Sequence, residues 1–260
     1  MYIWKDNTLT PLNHDEKFDD FQLGYGLFET MLVHQTKGII LWNEHMNRLH
    51  HGIFKLTGEK INWNLSNLYT ALIQKLTNSE YYKLKLIYLP SNKVLWVSFI
   101  EFPLVNQSWK LYSHENYFRG YLPHYQLKSI SYMENQLLKH YAESFKCDDY
   151  LVVNHEGHIL ETTMANIFFV KAHSIIETPP AINNSLLNGT IRNYLLNHPC
   201  PGFQITEADI SLNKIEMYQE VFITNSLRLA QHVIQINHNH YPHNDVSQTI
   251  RKWLIQSLII

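Results

Sequence analysis

The sequence predicts an α+β fold in two layers, divided into two domains. Three observations carry that expectation. Strand-like runs of β-branched and aromatic residues alternate with stretches whose apolar residues recur at helical spacing. Midway along the chain, from Ser113 to Gln126, all periodicity is lost. The chain of 260 residues also exceeds the ~150 of an average domain. That length is ample for a core burying ~70% or more of the unfolded surface.

The elements follow in order. FETMLVH (28–34), a QTKG turn and GIILW (38–42) read as a hairpin around a glycine-bearing turn. Asn43 is placed to cap a helix with Met46, Leu49, Ile53 and Phe54 on one face. Asn64 opens a second helix carrying Leu65, Leu68, Leu72 and Leu76. Strands are expected at 81–89 and 94–102. The stretch SHENYFRGYLPHYQ holds a Gly, a Pro and several aromatics, which suits a packed connection better than a loose tether. A helix from Ser129 to Phe145 follows, with Met133, Leu137, Tyr141 and Ala142 as its stripe. Strands are then expected at 150–154, 158–161, 167–171, 220–224 and 232–236. A helix spans 190–197, and a C-terminal helix places Val246, Ile250, Trp253, Leu254 and Leu258 on one face. The expected domains are 1–113, smaller, and 127–260, larger, joined by 114–126.

Composition narrows the function. A hydrophobic share of 45% excludes wholesale disorder. Charged residues are only 17%, below the ~25% norm, so each well-placed Lys, Arg or Glu is informative. A net charge of −2 offers no basic field for phosphate backbones, and no nucleic-acid partner is expected. Cys147 and Cys200 have neither metal nor disulfide-framework spacing. The start MYIWKDNTLT reads as no secretory leader, so a reducing, cytoplasmic compartment is expected. Leu95 to Val105, broken by Glu101 and Pro103, is too short for a membrane span. His238, His240 and His243 lack a carboxylate in ligand register and read as a solvated loop, not a metal site.

Four segments place polar groups at element ends, where sites tend to be built. They are NEHMNRLHH with Arg48, QLKSISY with Lys128, ILETTMANIFF with Glu161, and the pair LLNGTIRN and FITNSLR. Singly, each has a bland reading as a solvated or capping residue. Together and in this order, with GYGLFETM (24–31) and EVFITNSL (220–227), the chain resembles the fold-type IV, or class IV, pyridoxal-phosphate enzymes. Branched-chain and D-amino acid aminotransferases and 4-amino-4-deoxychorismate lyases belong to that family.

The resemblance implies a D-amino acid aminotransferase-like fold with the cofactor at the domain interface, 127–260 being the cofactor-binding domain. It implies that Lys128 forms the internal Schiff base with pyridoxal 5'-phosphate. Glu161 would keep the pyridine nitrogen protonated. Arg48, the turn Gly189–Thr190–Ile191, Ser226 and Leu227 would hold the phosphate, with Asn166 beside them. Thr30 stands where the lyases place a threonine near substrate. The family's usual turn reads Gly-Ile-Thr-Arg, so Thr190 and Ile191 are exchanged here. Tyr132 sits four residues after the lysine, where the branched-chain enzymes have a tyrosine at five. Lys83 and Lys85 replace arginines usual in the strand after the second helix.

The activity expected first is conversion of 4-amino-4-deoxychorismate to 4-aminobenzoate and pyruvate, a folate-biosynthesis step. The alternative is an aminotransferase using D- or branched-chain amino acids with a 2-oxo acid. A non-catalytic carrier of the cofactor is the third reading, disfavoured by having both Lys128 and Glu161. The implied partners are a small-molecule amino substrate and a second copy in a homodimer, without a membrane.

Overall fold

The computed structural model describes residues 1–12, 19–114, 116–172, 174–182 and 184–260. Position 115 of the expected connection lies outside the described residues. The chain divides into two compact units. Residues 1–104, 127–132 and 258–260 form the first, and 105–126 with 133–257 form the second.

The first unit is a six-stranded antiparallel sheet with its two longer helices against one face. Its elements are β1 (Tyr2–Lys5), β2 (Thr8–Pro11), α1 (Asp19–Leu23), β3 (Leu27–His34), β4 (Gly38–Ile39), α2 (Trp42–Thr57), α3 (Leu65–Ile73), β5 (Tyr81–Leu89) and β6 (Val94–Glu101). The strand order is β2-β1-β6-β5-β3-β4. Period-2 alternation sends Tyr82, Leu84, Leu86 and Tyr88 of β5 into the core, where they meet Met46, Leu49 and Ile53 of α2 and Leu68 and Leu72 of α3. The register pairs Phe28 with Ile87, Thr30 with Lys85 and Leu32 with Lys83, so these share the opposite face.

The second unit holds β7 (Trp109–Tyr112), α4 (Met133–Ser144), β8 (Asp149–Val153), β9 (Ile159–Thr162), β10 (Asn166–Ala172), β11 (Ile175–Thr178), α5 (Thr190–Asn197), β12 (Gln204–Glu207), β13 (Glu220–Asn225), β14 (Leu229–Ile236), β15 (Asn239–His240) and α6 (Asp245–Leu258). Eight of its nine strands run in the order β12-β11-β10-β13-β14-β7-β8-β9, and β15 pairs with β14. β8 is buried on both faces: Leu151 and Val153 enter one core, Tyr150 and Val152 another beneath α4. Glu220, itself buried, accepts the amide protons of Val246 and Ser247 at 3.0 and 2.6 Å and so anchors the start of α6. No helix among the described residues is long and apolar enough to cross a membrane.

Several expectations shift. The expected strand 38–42 shortens to Gly38–Ile39, because Leu41 turns left-handed (φ 53°) and α2 begins at Trp42, leaving Asn43 inside the helix instead of at its cap. Asn64 does cap α3, accepting from the Asn67 amide at 3.0 Å. The helix expected from Ser129 starts at Met133. Residues before it are drawn out alongside β3, where the Phe28 amide donates to the Lys128 carbonyl at 2.7 Å and the Ile130 amide to the Gly26 carbonyl at 3.0 Å. The buried face of α4 is Leu138 and Ala142, whereas Met133 and Leu137 are 71% and 62% exposed. Residues 105–113 join the second unit because β7 pairs in parallel with β14 and β8.

Gly26 permits the close approach of strand and lysine segment. A Cβ there would lie 2.7 Å from the Tyr88 carbonyl oxygen and 3.0 Å from Ile130 Cδ1. Gly26→Ala should therefore cost ~1–3 kcal/mol through overpacking, read as a lower denaturant midpoint at an unchanged slope.

Candidate active site

In the first unit, the segment 127–132 is fastened to β3 by the two backbone bonds above, which together make a bridge between Leu27 and Ser129. That fastening places the Lys128 ammonium 4.4 Å from the centroid of the Phe28 ring, within cation–π range. The Lys85 ammonium lies 4.8 Å from the same ring. Tyr132 meets Phe28 edge-on at 5.6 Å. Burial, and then the neighbouring Lys83, lower the Lys85 pKa, and no carboxylate among the described residues offsets them. Thr30 is half-buried beside Lys85 on this face.

Glu29 points the other way, into the core. Arg48 grips it with Nε at 2.8 Å from Oε1 and Nη2 at 2.6 Å from Oε2. His45 Nδ1 lies 2.6 Å from Oε2. Burial alone would raise the Glu29 pKa, but Arg48 and His45 outweigh it and hold the carboxyl at about 2. For His45, burial outweighs the pull of Glu29, and Arg48 and Lys128 add to the lowering. The ring is therefore neutral, and since an ionised Glu29 can only accept, Nδ1 carries the proton. Arg48, expected among the phosphate ligands, thus commits two N–H groups to an internal carboxylate.

In the second unit, Glu161 sits near the end of β9 and is buried. Arg119 Nη1 donates to its Oε1 at 2.9 Å, while the Leu187 amide donates to Oε2 at 3.1 Å. Asn166 accepts the Gly189 amide proton at 3.1 Å and donates to the Leu187 carbonyl at 2.7 Å. A Cβ on Gly189 would lie 2.2 Å from Asn166 Oδ1, so a side chain there would displace the Asn166 carboxamide. Gly189 precedes α5, and its first residue, Thr190, brings Oγ1 to 2.9 Å from Ser226 Oγ in the β13–β14 turn. The Leu227 amide in that turn donates to Asn225 Oδ1 at 3.2 Å. The side chain of Ile191 is buried in the core.

These contacts make a buried carboxylate and, around a helix N-terminus, a pair of hydroxyls and a glycine turn suited to an anion. The sequence-predicted residues fall into two groups. Lys128, Thr30 and Arg48 belong to the first unit. Glu161, Asn166, Gly189, Thr190, Ile191, Ser226 and Leu227 belong to the second. Sequence reasoning missed Glu29, His45, Arg119, Glu134 and Asn135. The only sequence signal for Arg119 was a rare cation inside the aromatic connection. Among the described residues no three histidine, cysteine, aspartate or glutamate side chains gather as a metal site.

The sequence model of the amino-transferase class IV family matches residues 26–236. The chain belongs to that family. A Vibrio harveyi aminodeoxychorismate lyase is 30% identical over 96 residues, 36% of this chain and 35% of that protein. A Methanocaldococcus jannaschii protein, provisionally described as a branched-chain-amino-acid aminotransferase, is 26% identical over 127 residues, 48% of this chain and 43% of that protein. The matches thus span less than half the length of either curated relative. A solved Legionella pneumophila structure, provisionally described as a 4-amino-4-deoxychorismate lyase, superposes with a TM-score of 0.82 at 27% identity, covering 94% of this chain and 96% of that one. The two-sheet α+β architecture is therefore the fold-type IV fold expected from the sequence.

The Glu29 cluster sets a pH dependence. Its folded pKa lies below the ordinary 4.5, so its stabilisation is full above that value and drains away as pH falls towards about 2. A shift of this size corresponds to roughly 3 kcal/mol at neutral pH. The stability advantage of wild type over Glu29→Gln in urea unfolding should be largest at pH 7 and shrink by about half at pH 3.

Proposed function

We propose that this chain is a pyridoxal-phosphate enzyme that cleaves 4-amino-4-deoxychorismate to 4-aminobenzoate and pyruvate. The observation that carries the reading is the pairing of two lysines around Phe28. Lys128 lies on a segment fastened to β3 by backbone bonds, and Lys85 is a half-buried cation with no offsetting carboxylate among the described residues. One suits amine chemistry and the other suits a substrate carboxylate.

The donor set fits the cofactor. Glu161 is a buried acceptor for a ring N–H, and the Gly189 turn, Thr190 and Ser226 suit a phosphate at the start of α5. Arg48, which the resemblance puts among the phosphate ligands, is held by Glu29 as a fixed guanidinium. When bound, pyridoxal phosphate supplies a carbonyl for amines and a protonated ring that accepts electrons.

Lys128 would hold that carbonyl, give it up to the substrate amine and then take the proton from the amine-bearing carbon. Glu161 would keep a proton on the pyridine nitrogen. Thr30, on the Lys85 face, would help deliver a proton to the departing enolpyruvyl group as its C–O bond breaks and the substrate ring becomes aromatic. The 27% identity to the Legionella structure over nearly the full chain supports the lyase. The M. jannaschii relative supports the second reading, an aminotransferase in which Lys128 moves the same proton onward. Exposed Met133, Leu137 and Tyr141 on α4 support association with a second copy.

Incubation with aminodeoxychorismate should release 4-aminobenzoate and pyruvate. Turnover only with an amino acid plus 2-oxoglutarate would select the aminotransferase. Borohydride treatment should leave the reduced cofactor on the Lys128 peptide, and an adduct on Lys139 or Lys146 instead would sink the assignment.

The Lys85→Met variant tests the substrate end. It should raise KM about tenfold or more while leaving cofactor occupancy intact, since a charge-assisted contact is worth ~1.5–3 kcal/mol. An unchanged KM would make Lys85 a mere neighbour of the ring.

A further inference from the structure

Asp149, the first residue of β8, is an acid sealed from water, 0% exposed. Its Oδ1 accepts the Tyr150 amide proton at 2.8 Å and the hydroxyl proton of Thr163. Its Oδ2 is buried and has no hydrogen-bond partner among the described residues. Burial pushes the Asp149 pKa up, against the Thr163 hydrogen bond and the pull of Lys139 on α4. A buried carboxyl group with an orphaned oxygen is costly, and a leucine of similar shape would avoid that cost. Such a group calls for a reason beyond packing.

The far side of the Thr163 bond supplies one. Thr163 opens the turn 163–165, which joins β9 to β10, so Glu161 lies just before the turn and Asn166 just after it. Within the turn, the Thr162 amide donates to the Ala165 carbonyl at 2.8 Å, and the Ala165 amide to Thr162 Oγ1 at 3.0 Å. Those bonds set the shape of the turn but not its place in the unit. Its place is set through Thr163, whose amide donates to the Tyr150 carbonyl at 3.2 Å and whose carbonyl accepts from Asn135 Nδ2 of α4 at 2.8 Å. The hydroxyl bond to Asp149 is the third tie, and a carboxylate acceptor makes it the strongest of the three.

We propose that Asp149 is a positioning residue: acting through the Thr163 hydroxyl, it holds the β9–β10 turn so that Glu161 and Asn166 keep the orientations a bound cofactor needs. This rests on the reading of Glu161 and Asn166 as groups that contact pyridoxal phosphate. It goes beyond that reading by giving a role to a fully buried acid that the cofactor cannot reach.

The probe is the analogue of pyridoxal phosphate that carries a methyl group instead of the aldehyde. It cannot join to Lys128, so its affinity, read by fluorescence quenching, reports the non-covalent contacts alone. Urea unfolding midpoints are measured on the same variants. The double variant Asp149→Leu with Thr163→Val replaces both side chains of the bond by apolar ones of similar shape, a change close to neutral for a fold. It should unfold at the wild-type midpoint or above, yet bind the analogue about fivefold more weakly, the scale of one lost hydrogen bond. Thr163→Val alone strands the carboxyl group and should lower both readings. Thr163→Ser keeps the hydroxyl and should preserve both. Wild-type affinity in the double variant would overturn the positioning role, and so would affinities that merely follow the midpoints across the series.

Should the double variant fail to fold, Asp149→Asn decides. It keeps the shape and gives up the acid, so it should bind the analogue severalfold more weakly at an unchanged midpoint, and wild-type affinity there would overturn the role. Glu161→Gln and Asn166→Ala test the underlying reading and should each weaken binding of the analogue. If both bind it as wild type does, that reading falls and this inference with it. If they weaken binding while the Asp149 and Thr163 variants do not, this inference alone falls.

Discussion

A charge removed from water must bring its counter-charge along, and each unit meets that constraint with a buried guanidinium–carboxylate pair. In the first unit Arg48 and Glu29 form a two-pronged pair inside the core, with His45 as a neutral third member. In the second, Arg119 spans Glu161 and Glu134. Replacing both members of such a pair with apolar groups often costs little, whereas removing one leaves an uncompensated buried charge and destabilises. The effect of these pairs is directional: a carboxylate held by a guanidinium fork has one orientation, and chemistry that needs a fixed acceptor requires that.

The second constraint is backbone pairing. Lys128 is not on a regular element, yet its carbonyl accepts the Phe28 amide, and its neighbours pair with Leu27 and Gly26. Those two bonds, one on each side of the Leu27–Ser129 bridge, fix the backbone of a loop lysine as a strand pairing would. The Gly26 contact with Tyr88 and Ile130 leaves no room for a side chain, so close approach, not flexibility, accounts for this glycine. The ring of Phe28 then receives the ammonium groups of both Lys128 and Lys85.

What was legible in the sequence is what is local. The strands at 81–89 and 94–102, the Asn64 cap and the Gly189 turn before α5 depend on neighbours a few residues away, and the sequence displays those. Lys128 and Glu161 stand out only through a family pattern of motifs in order. Arg119 does not, because its partners Glu134, Asn135 and Glu161 lie 15 to 42 positions along the chain. Pairing across that separation leaves no periodic trace. The face of α4 was misread for a related reason: spacing alone allows either Met133–Leu137–Tyr141 or Leu138–Ala142, and only contact with Tyr150 and Val152 of β8 decides it. The start of α2 was misread because a left-handed Leu41 is rare and has no propensity signal.

The exchange of Thr190 and Ile191 shows how a departure from the family pattern can keep the physics. With Gly-Thr-Ile in place of Gly-Ile-Thr, the sequence suggests that the turn has lost its hydroxyl contact. The structure puts the hydroxyl on the first residue of α5, 2.9 Å from Ser226, and buries the isoleucine. An anion at a helix N-terminus is recognised by backbone amides and by whichever hydroxyls converge there. The amides do not depend on residue order, and the hydroxyl can come from either of two adjacent positions if the other faces the core. Replacing arginine with lysine at 83 and 85 is different, because a planar fork becomes a point charge with no fixed direction. Under the proposed reading, the groups at the start of α5 tolerate the exchange, and the Lys83 and Lys85 face of β5 is where this chain has the latitude to differ from its relatives.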